Sequence, residues 1–152
     1  MSTRAQIAVY QAPESKLPNF EALLYRHSDG YPSGVLPDIM PFLAFWKKNR
    51  GMDDVEYLSA RLLQYLCNEY DGMMEELEKG KKIYTGILGN GISKDFHGDI
   101  EYLYAISPEG VKVYETSFWQ SNKPTSKNCI LLGTVPIEGY EESEDYKKLI
   151  TE

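Results

Sequence analysis

The sequence contains few of the features that mark disulfide-rich, secreted or membrane proteins. Its two cysteines, Cys67 and Cys129, are far apart and unpatterned, which suits a reducing cytoplasm, and we expect both to be buried thiols. The longest apolar run, residues 39–46, is interrupted by Pro41 and is much shorter than the roughly 18 residues of a membrane span. Residues 1–6 lack the apolar core of a signal peptide. These absences predict a cytoplasmic protein without a membrane partner.

Positive charge is also scarce. The chain carries 16 lysines and arginines against 23 aspartates and glutamates, which gives a net charge of −7. Such a surface repels phosphate backbones, so we expect no general nucleic-acid binding, although a local basic pocket for one small anion remains compatible with it. With 152 residues, of which 42% are hydrophobic, the chain fits one domain with its own core. Within it, residues 138–152 are predicted to form an acidic C-terminal tail that is helical only at its end.

Hydrophobic residues recur with a period of two in several segments, which predicts β-strands. These segments are residues 5–11, 21–27, 83–88, 100–106, 111–117 and 129–135. Residues 107–110 have the composition of a type I turn, so the strands on either side of it are predicted to form a hairpin. In the second strand, the alternation places Arg26 on one face and both Tyr25 and His27 on the other.

A helix is predicted over residues 35–49, where apolar side chains follow helical spacing. Pro37 suits the first turn of this helix, because the missing N–H would be unpaired there in any case. Pro41 indicates a late start or a kink. Gly51 is predicted to end the helix.

A second helix is predicted to begin at Asp53, with Glu56 as the capping-box partner. Gly72 is a plausible stop for it, and residues 73–79 would add a further helical turn or two. The glycines of residues 89–91 are predicted to break the chain into a turn. Together these elements predict a single α+β domain, with a five- or six-stranded antiparallel or mixed sheet and two main helices on one face.

Polar and titratable side chains concentrate where the second strand ends. Residues 25–31 contain a guanidinium, an imidazole, a hydroxyl, a carboxylate and phenols. Loops held by rigid elements are common positions for binding and catalytic groups. We therefore expect the functional site to include this stretch.

The two histidines each precede an aspartate by two positions, in the pairs His27 with Asp29 and His97 with Asp99. On an extended backbone such residues project to the same side, and we expect the two pairs to converge because both lie at strand ends. Together they would supply four metal ligands, or an acid–base pair in which aspartate fixes the histidine tautomer. A structural interpretation is also open, in which Asp29 forms an Asx-turn and Asp99 begins a strand.

A third interpretation requires no reaction. Arg26, His27 and Lys94 are cationic groups in an acidic chain. Arginine binds phosphate through two parallel hydrogen bonds, whereas tyrosine rings stack on bases. We prefer this interpretation, which predicts non-enzymatic binding of a small anionic, nucleotide-like ligand without a cofactor. The predicted ligand-binding residues are Tyr25, Arg26, His27, Asp29, Tyr31, Lys94, His97, Asp99 and Tyr102.

Individual roles follow from the chemistry of these side chains. Arg26 is predicted to hold phosphate, and Tyr31 and Tyr102 to stack or to form hydrogen bonds. His27 and Asp29 would orient the ligand.

Two blocks of the sequence, YRHSDGYP at residues 25–32 and HGDIEYLY at residues 97–104, resemble small uncharacterised proteins of bacteriophages and bacteria. The similarity extends over residues 22–114. It implies a cytoplasmic accessory role in phage–host conflict, and it brings no established activity from which catalytic residues could be assigned to this chain. Small phage proteins of that kind often act by binding, for instance by sequestering a nucleotide signal or blocking a host protein.

Two other classes of function stay open. One is a metal-dependent or acid–base hydrolase that uses both His-x-Asp pairs. The other is a protein-interaction module whose acidic surface, including residues 138–145, blocks a host protein. Homo-oligomerisation is compatible with each of these functions, because several of the twelve tyrosines suit a subunit interface.

Overall fold

The computed structural model describes residues 2–68, 74–76, 78–84, 89–117 and 123–151. The helices within these ranges are α1 (Pro32–Asn49), α2 (Val55–Leu66) and α3 (Glu144–Ile150). The strands are β1 (Ala5–Val9), β2 (Ala22–Arg26), β3 (Met74–Glu76), β4 (Lys82–Tyr84), β5 (Asn90–Ile92), β6 (Tyr102–Ser107), β7 (Gly110–Thr116) and β8 (Cys129–Val135). None of the helices in these ranges combines the length and the apolar character needed to cross a bilayer.

Six strands form one mixed sheet in the order β5-β2-β1-β6-β7-β8, whereas β3 and β4 pair only with each other. β1 runs parallel to β6, and the other neighbours in the six-stranded sheet are antiparallel. The predicted α+β domain with a mixed sheet is therefore confirmed. The hairpin of β6 and β7 is also confirmed, and β8 has the predicted bounds.

The sheet separates two apolar clusters. On the face that carries the helices, which we call the helix face, Ile7, Val9 and Tyr104 pack against α1 and α2. On the opposite face, which we call the loop face, Ala8 and Leu103 pack against side chains from connecting segments. The connecting segments contribute Leu17, Phe20, Phe96 and Ile100.

Helix α1 begins three residues earlier than predicted, because Pro32 already has the preset φ of a first helical residue. Pro37 and Pro41 lie inside the helix, which continues through both. Both prolines are on the exposed side of the helix. Gly51 ends the helix as predicted, with a φ of 78° and its N–H donating to the Trp46 carbonyl over 3.0 Å.

Helix α2 starts one residue later than predicted. Its capping residue is Asp54, whose carboxylate accepts the Tyr57 N–H, so the capping box of Asp53 and Glu56 is wrong. The predicted helical extension is also wrong at Met74–Glu76, which is a strand. Gly72 and residues 85–88 lie outside the described residues.

Two further segments differ from the predictions. The turn predicted at residues 89–91 is wrong for Asn90 and Gly91, which begin the edge strand β5, since Tyr25 pairs with Gly91 across the sheet. The predicted acidic tail is helical near its end, and there it docks on the sheet with Leu149 only 3% exposed. Its Asp145 carboxylate accepts the Thr134 N–H at the free edge of β8.

Candidate functional site

Tyr25 lies between the two histidines on the loop face. Its ring centroid is 4.8 Å from that of His97, with the planes tilted by 33°, and 6.0 Å from that of His27. The Tyr25 hydroxyl and the His27 Nδ1 atom form a hydrogen bond of 3.1 Å. The two histidine blocks therefore converge, as expected, with a tyrosine ring between them.

A buried amide holds the His97 segment against the sheet. Gln6 on β1 is fully buried, and it stands beside Tyr25 in the register of β1 and β2. Its Oε1 atom accepts the His97 N–H over 2.9 Å, and its Nε2 atom donates to the Asp95 carbonyl over 3.1 Å. The position of His97 is thus fixed by the sheet through both ends of one side-chain amide.

An ion pair stands beside the phenol of Tyr25. Arg4, directly before β1, binds Asp99 through its guanidinium, and both side chains are about two-fifths exposed. Burial raises the pKa of Tyr25, the Arg4 charge lowers it and the Asp99 charge raises it again. The Tyr25 phenol is therefore protonated near neutral pH and able to donate a hydrogen bond.

The strand on the far side of Tyr25 leaves space above the sheet. Tyr25 is paired with Gly91 in the register of β2 and β5. A Cβ atom built at Gly91 would meet nothing within 4 Å. Among the described residues, no side-chain atom therefore occupies the position next to Tyr25 on its Gly91 side.

Two predicted ligand residues lie on the helix face instead. Arg26 is 1% exposed; its Nη1 atom binds Asp38 over 2.7 Å and its Nε atom donates to the Ser28 carbonyl over 3.1 Å. Tyr102 packs against the helix-face cluster. The sheet separates both from Tyr25, so the prediction that Arg26, which would hold phosphate, and Tyr102, which would stack on or hydrogen-bond the ligand, share one site with Tyr25 is corrected. Side-chain alternation along β2 and β6 is the physical reason.

The geometry assumed for the His-x-Asp pairs is also corrected. Asp29 has a φ of 54°, in the left-handed region, and residues 98–99 form a turn, so neither pair lies on an extended backbone. The Asp29 carboxylate accepts a hydrogen bond of 2.9 Å from the Tyr31 hydroxyl. Asp99 binds Arg4. Among the described residues, no three or more His, Cys, Asp or Glu side chains form a group that could hold a metal ion.

The remaining predicted residues are placed as follows. Tyr31 precedes α1 with its ring 39% exposed. Lys94 is exposed, and it forms no hydrogen bond or ion pair with another predicted residue within the described part of the chain. Of the predicted residues, Tyr25, His27, His97 and Asp99 therefore belong to the site on the loop face.

Sequence reasoning missed Arg4 and Gln6 as members of this site. Alternation in β1 puts Arg4 and Gln6 on one face, which is a signal that the sequence contains. That signal did not reveal the neighbours of these residues, because strand order depends on contacts between distant parts of the chain. Comparison with known proteins adds no neighbours either: no family model, curated protein or solved structure matches the chain.

Proposed function

We propose that the protein binds a small anionic, nucleotide-like ligand over Tyr25 and releases it unchanged. The observation that carries this proposal is the Tyr25 ring, which lies 4.8 Å from His97 and has open space on its Gly91 side. A base or another planar group has a stacking surface there.

The groups around the ring suit the anionic part of such a ligand. The Arg4 guanidinium has five N–H donors, so its pair with Asp99 leaves donors for a phosphate. Histidine side chains and a protonated phenol add further donors. Because Arg26 and Tyr102 lie on the other face, Arg4 takes the phosphate-binding role in this proposal and His97 the stacking role.

The test is a calorimetric titration with adenosine monophosphate, with adenosine and inorganic phosphate as comparison ligands. We expect adenosine monophosphate to bind more tightly than either comparison ligand. Tyr25→Ala and His97→Ala should each weaken binding at least tenfold, which corresponds to about 1.4 kcal/mol. Tyr57→Ala is the matched control, since Tyr57 is exposed on α2. Equal binding by wild type and His97→Ala would contradict the proposal.

Acid–base hydrolysis is the second candidate, favoured by the hydrogen bond between Tyr25 and His27. The chemical fate of the ligand distinguishes the two functions. In the binding proposal, adenosine monophosphate is recovered unchanged after denaturation of the complex. Multiple turnovers that are abolished by His97→Ala would replace binding with catalysis.

A further inference from the structure

A second cleft opens on the loop face, at the end of the sheet away from His97. It lies between the segment of residues 12–17 and strands β6 and β7, and its volume is about 210 Å³. Its polar lining consists of Ser15, Lys16, Ser107, Lys112 and Tyr114. Ala12, Pro13, Leu17 and Ala105 supply an apolar part.

The charge of this lining is opposite to the charge of the whole chain. Lys16 comes from the connecting segment and Lys112 from β7, so the two lysines line the cleft from different walls. No carboxylate is found among the described residues that line it. In a chain with a net charge of −7, a concave surface with two lysines favours an anion.

Both walls of the cleft are anchored. Lys112 is paired with Ala105 in the register of β6 and β7, and Ala105 is only 6% exposed in the loop-face cluster. The sheet therefore fixes the backbone position of Lys112. The Tyr10 hydroxyl donates a hydrogen bond of 2.6 Å to the Leu17 carbonyl, which ties the Lys16 wall to the end of β1. The cleft is therefore formed before a ligand arrives.

Hydroxyl groups complete the set of donors. Ser15 and Ser107 lie on different walls, and Tyr114 lies along β7. Burial and the neighbouring Cys129 raise the pKa of Tyr114, so its phenol keeps its proton near neutral pH. Ammonium and hydroxyl donors around a small apolar surface match a phosphate attached to a compact organic group.

We propose that this cleft binds a compact phosphate monoester of about the size of a sugar phosphate. The phosphate would lie between Lys16 and Lys112, and the organic group would contact Pro13 and Ala105. The volume is below the roughly 300–1,000 Å³ of pockets for drug-sized ligands, so a whole dinucleotide is too large. This site is separate from the one over Tyr25 and does not depend on it.

A neighbouring cleft places negative charge next to Lys112, on one side of the proposed phosphate site. Glu14 and Glu109 line that neighbour together with Lys112. Their carboxylates oppose the approach of an anion from the rim. Removing the charge of Glu109 should therefore tighten binding, whereas removing the charge of Lys112 should weaken it.

The experiment is an NMR titration of the full chain with ribose 5-phosphate, with ribose and inorganic phosphate in parallel. We expect ribose 5-phosphate to bind more tightly than either and to shift the backbone amides of Ser15, Ser107 and Lys112. If ribose bound as tightly as ribose 5-phosphate, the proposed role of the lysines would be wrong. If inorganic phosphate bound as tightly as ribose 5-phosphate, the proposed contact with an organic group would be wrong. If only the amides of Tyr25 and His97 shifted, the proposal for the cleft would be wrong, whereas the proposed site over Tyr25 would be unaffected.

Substitutions that remove single charges from the cleft and its rim test the same proposal. Lys16→Gln and Lys112→Gln should each weaken ribose 5-phosphate binding at least tenfold, and Glu109→Gln should strengthen it. Lys48→Gln is the matched control, because Lys48 is an exposed lysine on α1, the helix that covers the opposite face. The amide spectrum of each variant establishes that it is folded. Unchanged binding in both cleft lysine variants would overturn the proposal.

Discussion

Arg26 carries its charge inside the protein, with only 1% of the residue exposed. The guanidinium binds the Asp38 carboxylate and the Ser28 carbonyl. Asp38 remains one-third exposed, so this ion pair is buried on the arginine side alone. A buried charge of this kind is costly to leave unpaired, and the pair connects β2 to α1 across the loop that joins them.

We therefore expect Arg26→Ala to lower the free energy of unfolding by about 3 kcal/mol, the lower end of the range for breaking a buried pair. The lower end applies because the Asp38 left behind can be hydrated. Affinity for adenosine monophosphate should stay within twofold, since Arg26 lies on the other face from Tyr25. Denaturant unfolding and calorimetry measure the two effects.

Arg61→Ala is the control for Arg26→Ala, because Arg61 is an exposed arginine on α2. It should change the free energy of unfolding by no more than about 0.5 kcal/mol. If Arg26→Ala instead weakened ligand binding and left stability unchanged, Arg26 would be the phosphate clamp after all.

The loop between β2 and α1 is packed closely against the start of β1. The Gly30 N–H donates to the Thr3 carbonyl over 2.9 Å, and the buried Tyr104 hydroxyl donates to the Gly30 carbonyl over 2.6 Å. A Cβ atom at Gly30 would lie 2.8 Å from both the Ala5 Cβ and the Thr3 carbonyl oxygen. The glycine here permits close packing of backbone against backbone.

Gly30→Ala should destabilise the protein by about 1–3 kcal/mol, because the neighbours of the added methyl group are backbone and β1 core atoms that must shift. Gly91→Ala is the matched control, since the added Cβ meets nothing within 4 Å and Gly91 has no positive φ. We expect the control to change stability by less than about 1 kcal/mol. Thermal unfolding of both variants checks the difference, and equal melting temperatures would contradict this account of Gly30.

Local patterns predicted the elements better than the site. The strand β8 and the turn at residues 107–110 follow directly from short alternating and turn-forming segments. The start of α1 was misplaced because Pro37 was taken as the first-turn proline, a role that Pro32 has. Tyr25 and His97 could be named from their chemistry. The role of Gln6, which pairs with Tyr25 and binds the His97 N–H, could not be predicted, because it depends on the register in which β1 pairs with β2.

At the scale of the whole molecule, both faces of the sheet bury tyrosines. Tyr104 is fully buried on the helix face, and Tyr10 is 4% exposed on the loop face. Burial raises the pKa of Tyr104 well above its ordinary value of 10.0, with Tyr102 adding to the increase. Burial likewise raises the pKa of Tyr10, with smaller contributions from Tyr114 and Cys129.

These raised pKa values predict loss of stability in alkali. Below pH 10 the folded and unfolded chains both keep the phenol protons, so these groups leave the free energy of unfolding unchanged. Above pH 10 the unfolded chain releases them first and thus binds fewer protons. The free energy of unfolding should then fall by up to about 1.4 kcal/mol per pH unit for each of Tyr10 and Tyr104, until the pH passes the folded pKa.

Urea unfolding at pH 7, 9, 10.5 and 11 measures this effect, and tyrosinate absorbance follows the ionisation. Above pH 10, the slope of the free energy of unfolding against pH should be smaller in Tyr104→Phe, by the amount that corresponds to one proton. The same substitution also removes the hydrogen bond to Gly30. Tyr57→Phe is the control for the substitution itself, because the Tyr57 ring is 53% exposed and outside both apolar clusters. A flat stability profile up to pH 11 would contradict the burial of these phenols.

The parallel pairing of β1 with β6, which sets Ala5 opposite Tyr102, also governs how the protein can be synthesised. While the ribosome adds the intervening chain, β1 can form a hairpin with β2 but has no partner on its other side. Its backbone edge on the β6 side remains unpaired during that time, as in other chains whose distant segments must meet. Completion of the sheet is therefore a late event, and the nascent chain is most open to aggregation or chaperone binding before β6 has left the ribosome and pairs with β1.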